Sequence, residues 1–159
     1  LNAFYFLGIG AKQEPEGPNP LVTVGWASII GGIVGLVQST YIMVARPLDD
    51  ASVVLAGLVA VYGGFFLLLG ITEVLGLDLR QIGNLAIAVA IVPLFWWQFF
   101  EGGWMFRSIL IVWAVAFLAI AATTYGKLPG RLLGFILLIT AVYTFFVPPI
   151  MLALGYSIP

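Results

Sequence analysis

Few side chains in this 159-residue sequence can do chemistry, and their spacing limits what that chemistry is. There is no His and no Cys, so the usual general base, the thiol nucleophile and the commonest metal ligand are missing together. Glu73 stands near the end of a long apolar run, shortly before Asp78 and Arg80. An ionisable group inside such a run is a functional candidate. Here it lies within about two turns of the run's end, so the expectation is a carboxyl that snorkels to the boundary. Asp78 and Arg80 are placed to pin a turn, through an ion pair or backbone hydrogen bonds. Deeper in their runs, the side chains are aromatic or hydroxylic. Trp113 and Phe117 are four apart and share a helix face, as do Thr140 and Thr144, with Tyr143 beside them. Pro148 and Pro149 follow, and proline inside a helix frees backbone carbonyls. Aromatic walls with sparse hydroxyls make a slot for a small, flat, neutral polar molecule. The competing reading makes the same side chains bundle core or lipid-facing surface.

Several reaction classes lack their residues. No carboxylate pair and no Ser with a base is present, so nothing points to an enzyme. The glycines of Gly31-Gly32-Ile33-Val34-Gly35 lie inside an apolar run, where glycine serves helix packing rather than a phosphate cradle. Proton-coupled transport needs a carboxylate or His at mid-depth, and ion conduction needs a charged ring or carbonyl filter; neither is legible. A net charge of −1 offers no basic stripe for nucleic acid. No metal site, no disulfide framework and no cofactor is implied.

The elements that must hold these residues follow from composition. Hydrophobic residues make up 62% of the chain and charged residues 8%, against about a quarter in soluble domains. With a mean hydropathy of +1.15, the outside must face lipid. The expected fold class is an all-α integral membrane protein, a six-helix transmembrane bundle in one domain over residues 1–159. Its spans are a partial first helix over 1–10, then 21–45, 51–75, 82–100, 104–124 and 132–156. The opening run is too short to cross a bilayer and reads as the second half of a helix that begins before Leu1. Of the basic residues, Lys12, Arg80, Lys127 and Arg131 fall in alternate loops, and Arg46 and Arg107 in the others. The fuller set places those loops in the cytoplasm and both termini outside. Ala27, Gly31 and Gly35 recur every four residues, as do Ser28 and Gly32, which gives the second helix two small faces; Gly63, Gly64 and Gly70 do the same for the third. Trp96, Trp97 and Trp104 read as interfacial anchors.

The order of motifs resembles the urea/amide channel family (UreI/AmiS). Gly76-Leu77-Asp78-Leu79-Arg80 looks like that family's GLD-x-R turn, and Glu101-Gly102-Gly103-Trp104 like its EG-x-W element ahead of the fifth helix. Trp113 is then followed by an aromatic four residues on, and Thr144-Phe145-Phe146-Val147-Pro148 closes the pattern in the last helix. The resemblance implies six-helix protomers in homohexamers, in a bacterial cytoplasmic membrane with both ends outside. Each protomer would carry one pore for facilitated diffusion of urea or short aliphatic amides. It also implies a pore wall at Trp113 and Phe117, at Gly64 and Leu68 on the third helix, and at Thr140 on the last. Phe117 and Thr140 depart from the family's second Trp and from the Glu of its acid-gated member. The segment Arg46 to Asp50 is short and has no His, which implies a pore without histidine-based acid gating. The alternative is a non-conducting structural subunit of a larger membrane complex.

Overall fold

A computed structural model of the protein describes residues 1–10 and 17–159. Lys12, one of the residues that set the expected orientation, lies outside the described residues, with Glu14 and Glu16. Among the described residues all regular structure is helical: α1 (Asn2–Leu7), α2 (Pro20–Ala45), α3 (Ala51–Leu75), α4 (Arg80–Ile91), α5 (Trp104–Thr124), α6 (Gly130–Ala141) and α7 (Val147–Ala153). A 3₁₀ turn, Val92–Trp96, extends α4, and a π-helical turn, Val142–Phe146, joins α6 to α7. Among the described residues four helical stretches are long and apolar enough to cross a bilayer: α2, α3, α5 and the composite Gly130–Ala153. Their outer faces carry bare aliphatic and aromatic surface, with Val44 and Phe95 each 79% exposed. Water would not tolerate so much apolar area; lipid does. The chain is a multi-pass membrane protein.

The boundaries have local causes. Asn19 caps α2 by accepting the Leu21 N–H at 3.0 Å, and Pro20 occupies the first helical position, where a missing N–H costs nothing. Gly76, at φ 64°, ends α3 in the left-handed region, and the Leu77 N–H closes on the Thr72 carbonyl at 3.0 Å. The fourth span is expected to run on to Phe100, but its α-helix stops at Ile91. Pro93 has no N–H to continue the ladder, and the chain tightens into the 3₁₀ turn. The 12 α-helical and five 3₁₀ residues together reach roughly 28 Å, close to the ~30 Å hydrocarbon thickness. The last span breaks similarly: Pro148 and Pro149 supply no donors, and the preceding turn widens to π geometry.

The tightest seam is α2 against α3, and its period is seven rather than four. Gly25, Gly32 and Ser39 of α2 face Gly70, Gly63 and Ala56 of α3 in an antiparallel register. A Cβ on Gly32 would sit 2.5 Å from the Leu67 backbone nitrogen, and one on Gly70 would sit 2.5 Å from the Gly25 carbonyl oxygen. The Ser39 hydroxyl donates to the Ala56 carbonyl at 2.8 Å, closing the seam's far end. Such close backbone approach supplies the packing attraction that lipid-immersed helices need. Gly31, on the expected four-residue face, meets nothing within 4 Å of a built Cβ. It leaves space, and the space is used below. On the other side of α3, a core of Phe65, Leu69, Ile82, Ala86, Val89 and Phe117 joins it to α4 and α5. Helix α1 is held mainly by α6, where Gly134 lets Ala3 and Leu7 approach.

Candidate functional site

Between α1, α2, α3, α5 and α6 runs a file of three cavities, of 470, 190 and 270 Å³. Asn2 and Phe66 line all three. The largest opens against Ala27, Gly31 and Gln38 of α2, so the glycine that makes no helix contact makes a cavity wall. The smallest, in the middle, is bounded by Trp113, Phe117, Thr140 and Phe145. The third runs past Thr123, Thr124 and Glu73, at the end of the bundle that carries the Asp78 turn.

The waist between them is aromatic. Trp113 lies 4.9 Å from Tyr62, 5.5 Å from Phe117 and 6.0 Å from Phe66 between ring centroids. Phe145 presents its edge to Trp113 at 5.7 Å and 87°. Tyr62 and Phe117 are parallel to within 6° at 5.6 Å. Each such pair is worth about 0.5–1.5 kcal/mol beyond its buried area, so the wall is stiff. One group in it is left unsatisfied: the buried Tyr62 hydroxyl has no hydrogen-bond partner among the described residues. Buried polar atoms are rarely orphaned, so the Tyr62 hydroxyl is an exception to the packing around it.

The residues singled out from sequence are distributed unevenly around this file. Trp113, Phe117 and Thr140 line the central cavity, with Phe117 and Thr140 buried. The Thr144 hydroxyl donates to the Thr140 carbonyl at 2.8 Å, and the Tyr143 hydroxyl pairs with Ser108 at 2.6 Å, so both are engaged within the helices rather than in a cavity wall. Leu68 is half-exposed on the outside of α3, and nothing approaches a Cβ built on Gly64. The α3 residues that meet Trp113 are Tyr62 and Phe66, two positions earlier. Two residues turn a helix by about 200°, which puts Gly64 and Leu68 on nearly the opposite face. The third-helix residues beside Trp113 are therefore Tyr62 and Phe66. The Tyr62–Phe66 pair at i, i+4 was the available signal.

Glu73 also departs from expectation. It is buried, 3% exposed, rather than snorkelling, because α2 passes so close at Gly25 that its carboxyl is enclosed; the Ser28 hydroxyl lies 3.3 Å from it. Asp78 and Arg80 form a bidentate pair at the exposed turn, with Arg80 Nε 2.9 Å and Nη2 2.6 Å from Asp78 Oδ2. The Arg80 backbone N–H also donates to Asp78 Oδ1 at 2.9 Å. The guanidinium and then this N–H hold the Asp78 carboxyl down at about 2. Arg107 donates to the Trp97 carbonyl at 3.0 Å and lies 5.2 Å from the Trp97 ring centroid, at the opposite end. Among the described residues no three His, Cys, Asp or Glu side chains gather in a way that would hold a metal.

Fold and site together define a polytopic helical membrane protein with an aromatic-waisted file of cavities between its helices. The chain belongs to the AmiS/UreI family of transporters, whose family model, an AmiS/UreI family transporter, matches residues 22–156. Neither a curated protein nor a solved structure matches it. It is therefore a membrane transporter of the urea/amide class, not an enzyme.

Proposed function

We propose that this protein is a passive pore for urea or short aliphatic amides in a bacterial cytoplasmic membrane, assembled as a homohexamer with both termini outside. The observation that carries this reading is the central cavity walled by Phe66, Trp113, Phe117, Thr140 and Phe145. Planar aromatic faces suit a planar solute and leave no room for a hydrated ion. An uncharged amide avoids the several-kcal/mol cost of taking a charge out of water. It must still replace hydrogen bonds at roughly 1–3 kcal/mol per unsatisfied group. Thr140 in the central cavity offers a hydroxyl.

With no His in the chain, the reading is of a pore without a histidine gate. The second reading is the non-conducting subunit, favoured by the close approach of Phe145, Trp113 and Tyr62 across the waist. Flux of urea and acetamide into vesicles holding the purified protein separates the two. A Trp113→Ala, Thr140→Val pair that left that flux unchanged would exclude the waist as the path.

A further inference from the structure

Below the aromatic waist, α1, α2 and α3 each contribute one polar side chain to a connected file. The Asn2 amide donates to the Ser28 hydroxyl at 3.0 Å. The Ser28 oxygen lies 3.1 Å from the Val24 carbonyl and 3.3 Å from Glu73 Oε2. A serine has one proton to give, and the nearer acceptor is the helix carbonyl. Glu73 thus holds at most a shared donor. Among the described residues the ion pairs are Arg46–Asp50 and Arg80–Asp78, so no cation there compensates Glu73. Glu73 nevertheless lines the 270 Å³ cavity, together with Thr123 and Thr124.

A buried carboxyl is expensive unless its lone pairs are filled. Nothing in the packing forces one here: the Gly25–Gly70 contact holds the helices together without it. An acceptor left short of donors on a cavity wall matches a solute that brings N–H groups. We propose that Glu73, positioned by Ser28 and Asn2, is the specificity-determining residue of the passage: its carboxyl accepts the amide protons of the solute. Asn2 keeps a second amide proton for the solute carbonyl. The selected class is therefore primary amides and urea, in preference to neutral polar molecules that offer fewer N–H donors. This rests on the pore reading above. It adds a station that is neither aromatic nor on the last helix.

The test is stopped-flow acetamide flux in proteoliposomes of the full chain, with osmotic water permeability of the same vesicles as the measure of an open, folded passage. Replacing the carboxyl by an apolar group in Glu73→Leu lowers acetamide flux about tenfold, equivalent to ~1.4 kcal/mol at the barrier. Water permeability stays within about twofold. Glu73→Gln keeps one acceptor oxygen and loses about threefold, consistent with a weaker, uncharged hydrogen bond. Unchanged acetamide flux in Glu73→Leu overturns the proposal, and so does an equal fall in acetamide and water, which marks a structural role. If Glu73→Leu does not yield folded protein, Glu73→Gln decides by the same two readouts. Wild-type vesicles no more permeable to acetamide than empty ones would instead refute the pore reading itself.

Discussion

Gly31 and Gly32 are neighbours on α2, yet the structure predicts opposite consequences for the same substitution. At Gly32 an added Cβ would stand 2.5 Å from Leu67 N, 2.7 Å from Leu67 Cα and 2.8 Å from the Gly63 carbonyl oxygen. All three are backbone atoms and cannot swing aside. Ordinary contact needs about 3.5 Å or more, so α2 and α3 must part by roughly 1 Å. A gap of that size forfeits a quarter to a half of each dispersion well along the seam. Overpacking of this kind typically costs about 1–3 kcal/mol, partly offset by the helix propensity gained on replacing glycine with alanine, about 1 kcal/mol. Gly32→Ala should therefore be less stable by up to about 2 kcal/mol. Gly31→Ala meets nothing within 4 Å and gains the propensity without the clash. Its stability should be unchanged or up to ~1 kcal/mol higher. Unfolding of the two variants by graded denaturant in detergent micelles, read by helical circular dichroism, gives the comparison directly. Equal stabilities, or a less stable Gly31→Ala, would mean that the seven-residue seam is not what joins these helices.

Three further outcomes follow from named groups. Tyr62→Phe removes a buried hydroxyl that has no partner among the described residues, so folding stability is kept or improved, which denaturation in detergent would reveal. Asp78 is held at about 2 by Arg80, below the unfolded value of roughly 3.9, so its contribution to the turn is complete above about pH 4 and is lost as pH falls towards 2. Amide exchange at Leu77 to Gln81, corrected for intrinsic rates, should rise over that interval in the wild type and show no such step in Asp78→Asn. Thr140→Val keeps the volume of the central cavity but removes its hydroxyl, and should lower amide flux several-fold with little change in water permeability; equal loss of both would point to a packing defect.

Much of the helical architecture is written in the chain's bulk chemistry. With so few charges, long apolar stretches could only be lipid-embedded helices, and Gly76, Pro93 and Pro148-Pro149 mark places where the backbone must turn or loosen. Trp113 and Phe117, four residues apart, could be placed on one face from spacing alone, and both line the central cavity, whereas Thr140 lines it without Thr144, its neighbour one turn on. What sequence spacing does not carry is which of two faces meets which neighbour. Ala27-Gly31-Gly35 and Gly25-Gly32-Ser39 are both small-residue stripes, and only the position of α3 decides that the second is the main seam and the first borders a cavity. The same ambiguity separates Tyr62 and Phe66 from Gly64 and Leu68. Glu73 eluded a reading by depth alone, since a carboxyl two residues from a helix end is free to snorkel unless a neighbouring backbone encloses it, as α2 does at Gly25.

The central claim is that the cavities around Trp113 conduct small amides. Osmotic swelling of proteoliposomes containing the purified protein, in urea, acetamide and glycerol at neutral and mildly acidic pH, tests it most directly. The expected result is urea and acetamide entry well above that of empty liposomes, with glycerol entry much slower. Entry of urea and acetamide no faster than into empty liposomes would contradict it and make the chain a structural subunit.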